Sequence, residues 1–515
     1  MKKILLISVV IAAAALFIFF ESSPSLRAPI IQGDEAFTGY TALLLVKNMP
    51  DGMGVSLFGR NLPLSTVPRH GALECYILAP FLFFGGVTPE ALRTGPLIFG
   101  ALSVIFTYLF TSRFFNPWVG ALAAVLLAIN GFFISIIKMG GMCGFSTLIF
   151  SLTPLLLFLK FSRSKNNLYF YLAMLILGLG VNTRGYFIWF IIALFLTGLL
   201  LYRRHLNIKI CSIGLTCLFI GALPVLYHYS RINFMHDFVL PNLLVAKEEN
   251  VNNLDLLANL LRRGEHLSEV LAGRLYDGWQ GHSGPVYIFW VCATFIFYRL
   301  FAWRKPDFPT RKIVFILSLT AFMFIISNFT LSTLNSGHFI LMFPYIQILT
   351  AVAIWEIYKS GKLGQKFALF ITILLIGLHL NNSISRTGEL RKEEQLNINN
   401  NIYAVTQWLV DNNVKEAVLQ EEPFCQGVQF LSDLKLSASA FRRHNCYLPE
   451  QSIYSSMKDA GHEAVFVLEN DANSNTQRIN KYFKIYAKKL QKEIIIAKQF
   501  YKSDGSPGFT AYRLK

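Results

Sequence analysis

Pro68-Arg69-His70-Gly71-Ala72-Leu73-Glu74-Cys75-Tyr76-Ile77-Leu78-Ala79-Pro80 begins polar and ends apolar. It sets Arg, His and Glu at the mouth of an apolar stretch covering 72–87. Further apolar runs of similar length lie around it, at 4–20, 94–111, 118–137, 144–160, 168–182, 186–202, 210–227, 284–302, 313–331, 338–358 and 366–382. The chain's 515 residues are 54% hydrophobic and only 15% charged, with a mean hydropathy of +0.46. Soluble chains run near a quarter charged. The sequence therefore predicts an all-α polytopic membrane protein of 11–13 transmembrane helices. Disordered, collagen-like and disulfide-scaffold classes are excluded.

The net charge of +17 does not indicate a nucleic-acid partner, because residues 1–382 carry +14 of it and residues 383–515 only +3. The excess sits in short loops, where cytoplasmic Lys and Arg hold spans in place. Lys160/Arg163/Lys165, Arg203/Arg204/Lys209, Arg304/Lys305/Arg311/Lys312 and Lys359/Lys362/Lys366 mark inside loops. Loop 228–283 and the tail from 383 then face outside. Lys2-Lys3 ahead of run 4–20 reads as an uncleaved signal anchor with its N-terminus inside. Parity requires that one run be a broken pair or a re-entrant helix. The candidate is 118–140, interrupted at Asn130-Gly131.

These assignments divide the chain into a membrane domain, 1–382, and a soluble extracytoplasmic domain, 383–515. The first outer loop, 21–71, contains a helical stretch at 34–48. Phe37, Tyr40, Leu44 and Val46 predict that it lies in the membrane interface. In the tail, helices at 402–412, 451–460 and 474–490 alternate with strands 417–419, 464–468 and 494–496, which predicts a small α/β domain with a largely parallel sheet. Cys75, Cys143, Cys211, Cys217 and Cys292 lie in or beside apolar runs without metal spacing; Cys425 and Cys446 pair if the tail occupies an oxidising compartment.

Gly33-Asp34-Glu35 follows the first run. Two adjacent carboxylates at a membrane surface either supply a general base or cap helix 34–48, Asp34 as N-cap and Glu35 in the first turn. Arg69, His70 and Glu74 hold a phosphate, or a metal bridging to one, or else Arg69 and Tyr76 snorkel at the interface. Glu74 is the harder to dismiss, since an intramembrane carboxylate is expensive. Lys138, Arg184 and His338 each sit at the outer edge of an apolar run. Together they resemble an anion-binding set facing Asp34.

The order of these features resembles the GT-C glycosyltransferases, and within them the branch of protein O-mannosyltransferases and the lipid A aminoarabinose transferase. Asp34-Glu35 in the first loop carries the resemblance, with His70-Gly71-Ala72-Leu73-Glu74-Cys75-Tyr76-Ile77-Leu78-Ala79-Pro80. Thr88-Pro89-Glu90-Ala91-Leu92-Arg93 and Phe114-Phe115-Asn116-Pro117 continue it. The resemblance implies a GT-C fold in the cytoplasmic (inner) membrane. It also implies inverting transfer of a sugar from a polyprenyl-phosphate donor to a lipid, glycan or protein acceptor on the outer face. Asp34 and Glu35 are then catalytic, with Asp34 taking the acceptor proton, and Arg69, His70, Glu74, Lys138, Arg184 and His338 bind substrate or phosphate. A divalent metal ion is a possible cofactor. Many relatives carry Arg and, five positions on, Asp where this chain has Lys138 and Cys143; the aminoarabinose branch has Glu-Lys where Pro68-Arg69 stands.

Two rival functions fit a polytopic chain. A secondary transporter would show two similar halves and a short tail; neither is visible in the sequence. A polysaccharide polymerase or ligase of the envelope would carry Arg and His in a late loop rather than Asp-Glu after the first span.

Overall fold

Every apolar run forms a helix, and the polar breaks set where each one stops. The structure, a computed structural model, describes residues 2–23, 25–26, 31, 33–50, 53–67, 70–140, 144–202, 208–232, 255–272, 284–301, 309–330, 336–397, 402–442, 457–458, 464–469, 474–501 and 507–515. Helix α1 (Lys2–Ser22) comes first. The first loop then holds helix α2 (Gly33–Val46) and two antiparallel hairpins. Strand β1 (Gly54–Leu57) pairs with β2 (Arg60–Pro63), and β3 (Ser65–Val67) with β4 (His70–Gly71). The sequence predicts only the helix, because strands this short carry no readable alternation.

Helices α3 (Leu73–Gly85), α4 (Pro89–Phe114), α5 (Pro117–Ala128), α6 (Gly131–Lys138), α7 (Thr147–Ser164), α8 (Asn167–Val181), α9 (Phe187–Tyr202) and α10 (Ile208–Arg231) follow. An amphipathic helix, α11 (Leu256–Ala272), stands in the second large loop. Helices α12 (Gly284–Phe301) and α13 (Thr310–Ser327), a 3-10 turn (Ser336–Met342), α14 (Phe343–Tyr358) and α15 (Lys362–Asn397) complete the apolar part. Helix α15 passes residue 382 without a break and carries the chain into the charged stretch that follows.

Among the described residues seven helices are long and apolar enough to cross a membrane, or eight counting α5 and α6 as one broken span. Four shorter apolar helices account for the remaining runs. The break is the one expected at Asn130: α5 and α6 meet at a 58° bend. Asn130 Oδ1 accepts from the Phe133 N–H, so the side chain that ends one helix caps the next. Asn116 and Pro117 start α5 in the same way, the Asn oxygen accepting from the Trp118 and Val119 N–H groups.

Burial separates the centre of the bundle from its rim. The apolar window of Gly337–Tyr358 is 94% buried among other helices, that of α10 only 22%. The first is the core; the second turns its side chains outward to lipid. Helix α2 departs from its predicted place in the interface. Glu35 to Gly39 and Thr41 to Leu44 are all buried, which leaves no apolar stripe for a membrane surface.

The tail supplies the cover. Helix α16 (Ile402–Asp411), β5 (Glu416–Glu421), α17 (Glu422–Leu431), β6 (Ser437–Arg442), β7 (Val465–Glu469), α18 (Ser474–Lys489), β8 (Ile494–Tyr501) and β9 (Pro507–Leu514) form its α/β fold. The sheet order is β6-β5-β7-β9-β8. Strand β5 is parallel to β6 and β7, whereas β9 runs antiparallel to β7 and β8. The sheet is therefore mixed rather than largely parallel, because the two C-terminal strands form a hairpin. Phe430 of α17 leaves the tail's own core and joins the membrane-domain core beside Gly39 of α2. Lys47 fastens the same junction, its Nζ 2.6 Å from Asp433 Oδ1 and 2.9 Å from the Asp433 carbonyl. Of the predicted helix 451–460 only residues 457–458 are described, and Cys446 lies outside the described residues; Cys425 is buried in the tail core.

Candidate functional site

Asp34 and Glu35 occupy the first turn of α2, so successive side chains point about 100° apart. That angle sends them into different surroundings. Asp34 Oδ2 lies 2.9 Å from Arg184 Nη1 and 3.5 Å from His70 Nε2, and its side chain keeps 24% of its surface exposed. The helix starts at Gly33, which puts Asp34 inside the first turn rather than at the N-cap. Arg184 is almost wholly buried and reaches a second carboxylate, with Nη2 3.5 Å from Glu74 Oε2. Glu74 Oε1 accepts from the Ser146 N–H at 3.2 Å and from its hydroxyl at 2.9 Å.

Asn182 explains how α3 and α8 bring these groups together. Its carbonyl accepts from the Leu73 N–H at the start of α3. Its amide donates to the Gly221 carbonyl and accepts from the Val225 N–H, both in α10. One residue thus ties α3, the end of α8 and the middle of α10, with Arg184 two residues on. His338 joins from the 3-10 turn, its ring 5.4 Å from that of Tyr186 in T-shaped contact. Asp34, His70, Glu74, Arg184 and, through Tyr186, His338 therefore share one region. Arg69 lies outside the described residues, as does Cys143.

Glu35 and Lys138 are placed differently from expectation. Glu35 is 2% exposed and bound in bidentate fashion by Arg93, Nε to Oε1 at 2.6 Å and Nη2 to Oε2 at 2.7 Å. Burial pushes its carboxyl above the ordinary value, against the opposing pull of Arg93. Bound in this way and buried, the carboxylate is closed off from solvent. Lys138 is buried, its Nζ donating to the Glu21 carbonyl. Glu21 in turn interacts electrostatically with Lys138 and Arg93. Glu21, Glu35, Arg93 and Lys138 thus make a buried layer of two acids and two cations beside Asp34.

Gly140 seals that layer. At φ +62° its position suits glycine, and a Cβ there would stand 2.3 Å from Glu35 Oε1. Tyr403 of α16 closes the other side. Its oxygen takes a hydrogen bond from the Ile31 backbone, and burial raises its pKa to about 12, so the phenol stays protonated.

One cation is missing from the sequence reading. Arg263 of α11 is fully buried, and none of its guanidinium nitrogens has a hydrogen-bond partner among the described residues. Desolvation, with Arg262 beside it, lowers its pKa to about 10. One turn on, His266 sets its ring 6.3 Å from Phe339, which places α11 against the turn that carries His338. The signal was spacing. Asn259 and Arg263 are four residues apart and fall on one helical face with Val270, opposite the exposed Leu257 and Leu261. Among the described residues no group of three His, Cys, Asp or Glu side chains stands ready to hold a metal ion.

Residues 69–228 match the sequence model of the dolichyl-phosphate-mannose-protein mannosyltransferase family. No curated protein matches the chain at significant similarity. Among solved structures, ArnT from Cupriavidus metallidurans bound to undecaprenyl phosphate is 11% identical, over 98% of this chain and 97% of that one, with a TM-score of 0.63. The archaeal oligosaccharyltransferase AglB from Archaeoglobus fulgidus, in complex with an inhibitory peptide and a dolichol-phosphate, is 13% identical, over 99% of this chain and 74% of that one, with a TM-score of 0.55. The alignment with ArnT runs through both the apolar helices and the tail, and with it the architecture is settled: this multi-pass membrane chain has the GT-C fold.

Proposed function

We propose that the chain is an inverting glycosyltransferase that moves a sugar from a polyprenyl-phosphate donor to a hydroxyl-bearing acceptor. Transfer would take place on the outer face of the cytoplasmic membrane, where the tail also lies. The observation that carries this reading is the unequal exposure of four neighbouring carboxylates. Glu21, Glu35 and Glu74 are 1–2% exposed, whereas the Asp34 side chain retains 24%. Asp34 alone of these meets solvent, held by the Arg184 guanidinium and the His70 ring, as a positioned base requires. The ligands of the two solved neighbours, a polyprenyl phosphate in each, support the donor class.

In the proposed reaction the acceptor oxygen forms its bond to the anomeric carbon from the face opposite the phosphate. Asp34 takes the hydroxyl proton, and the bond from that carbon to the phosphate oxygen breaks. The leaving lipid phosphate keeps the electron pair. Arg184 and His70 hold the Asp34 carboxylate in place. Arg263, a buried guanidinium with no protein anion beside it among the described residues, is suited to the charge that grows on the phosphate.

Asp34→Asn tests the reading in purified protein with a polyprenyl-phosphate sugar. It keeps the shape of the side chain, so the expected result is a 10²–10⁴-fold loss of transfer, in the range for a general base, with the melting temperature little changed. Full transfer by Asp34→Asn would exclude Asp34 as the base.

A further inference from the structure

The β1–β2 hairpin ends in a side chain that local physics does not favour. Leu57 pairs with Arg60, so Phe58-Gly59 forms the whole turn, with φ values of +50° and +72°. A two-residue turn of this hand suits Asn-Gly or Gly-Gly; a bulky aromatic at its first position is an outlier. Phe58 gains nothing from the protein in return, since it is 95% exposed.

The turn is nevertheless held firmly from both sides. Asn48, just past the end of α2, donates from Nδ2 to the Gly59 carbonyl at 3.1 Å. Asn48 Oδ1 accepts from the Asn61 N–H at 2.8 Å, and Asn61 Nδ2 donates to the Asn48 carbonyl at 2.7 Å. At the hairpin's base, Arg231 Nη1 donates to the Gly54 carbonyl at 3.1 Å. Strain that persists because its surroundings over-determine it is a pointer to function.

The position of the hairpin names the partner. Arg231 is the last residue of α10, the helix whose exposed apolar side chains mark the rim of the bundle. Phe219, Ile220, Leu223 and Tyr227 make an outward stripe, each 49–60% exposed, that ends beside the hairpin. The guanidinium of Arg231 lies over the Tyr227 ring at 5.8 Å, the aromatic-and-cation pairing expected at a headgroup level. Leu57, 49% exposed, and Phe58 prolong this apolar surface, with exposed Arg60 at their flank.

We infer that the Leu57-Phe58 tip is an interfacial anchor that enters the phospholipid headgroup and acyl boundary of the site-side leaflet, with Arg60 and Arg231 on lipid phosphates. Apolar and aromatic side chains flanked by cations partition to that layer. Through Asn48 the anchor fixes the C-terminal end of α2, and so the height of that helix above the bilayer. This inference rests on the membrane-spanning reading and not on the transferase assignment.

The test uses the full chain in vesicles of phosphatidylethanolamine and phosphatidylglycerol. An environment-sensitive fluorophore is placed on Phe58→Cys, with the parent protein labelled in parallel to subtract native cysteines. Lys498→Cys, an exposed position on the tail, is the reference. The expected result is blue-shifted emission at 58 and several-fold stronger quenching by nitroxide lipids than at 498. Leu57→Cys should report the same shift, which covers the case in which Phe58→Cys fails to fold. Quenching at 58 and 57 no stronger than at 498 would overturn the anchor. So would a shift that appears only on adding undecaprenyl phosphate, or a cross-link from 58 to a second copy of the chain.

Discussion

Arg93 decides what Glu35 can be. Its bidentate grip fills both carboxylate oxygens, and its third donor, Nη1, goes to the Leu26 carbonyl at 2.9 Å. Removing one member of such a buried pair strands the other charge, at a cost of about 3–5 kcal/mol. Glu35→Gln is therefore expected to lower the melting temperature and folded yield, with transfer lost in proportion to folded protein; Asp34→Asn should lose transfer with the folded yield little changed. Replacing both partners by apolar residues, Glu35→Leu with Arg93→Met, should recover much of the stability, because a buried pair is often matched by hydrophobic packing. Thermal unfolding of the three variants in detergent checks this, and a stable Glu35→Gln protein without transfer would return Glu35 to the chemistry. In the sequence the two acids are indistinguishable, since both follow Gly33 at the start of one helix. Only the angle between them and the arrival of Arg93, 58 residues later, separates their roles. Lys138 misleads for a similar reason: a cation at the end of an apolar run looks available until Glu21, which ends a different run, is brought beneath it.

At the scale of elements, α2 behaves as a spacer between two domains. Leu92 of α4 and Phe430 of α17 meet over Gly39, where a Cβ would come within 3.1–3.5 Å of both. Phe430→Ala should therefore lower both melting temperature and transfer, with about 3–5 kcal/mol lost from packing, and Phe430→Leu should restore most of each. Unaltered transfer by a folded Phe430→Ala protein would show that the tail does not steady α2. Gly140→Ala is expected to be worse than its size suggests. The backbone at φ +62° adds ~1–2 kcal/mol for a residue with a Cβ, and the new methyl would displace Glu35 from Arg93. Expression and unfolding measurements check it. The broken span was legible because Asn130-Gly131 is a cap and a break in one dipeptide. The hairpins of the first loop and strands β6 and β9 were not, since their pairing depends on register with distant strands and not on local periodicity.

Across the whole molecule, the first loop and the tail touch through Lys47 and Asp433, so they share one side of the membrane. The proposed cytoplasmic position of the basic loops would make that side the outer one. Arg60→Cys and Lys498→Cys should both react with a membrane-impermeant maleimide in intact cells, whereas a cysteine placed at Lys362, in the basic Lys359–Lys366 stretch, should react only after lysis. Protection of 60 and 498 together would invert the assigned topology. The charge distribution proposes this orientation from the sequence, because the positive-inside bias needs no tertiary contacts.

The junction of α2 with α17 also has a consequence in time. Gly39 leaves the ribosome almost four hundred residues ahead of Phe430, an interval of about 20–80 s at ordinary elongation rates of about 5–20 residues per second. Arg93 arrives after only about 3–12 s at the same pace. The helix that carries Asp34 is thus secured early by its buried ion pair and acquires its tail-domain cover last. The proposed base reaches its final setting only once α17 has been made, so a nascent chain stalled before α17 would display α2 without that half of its packing.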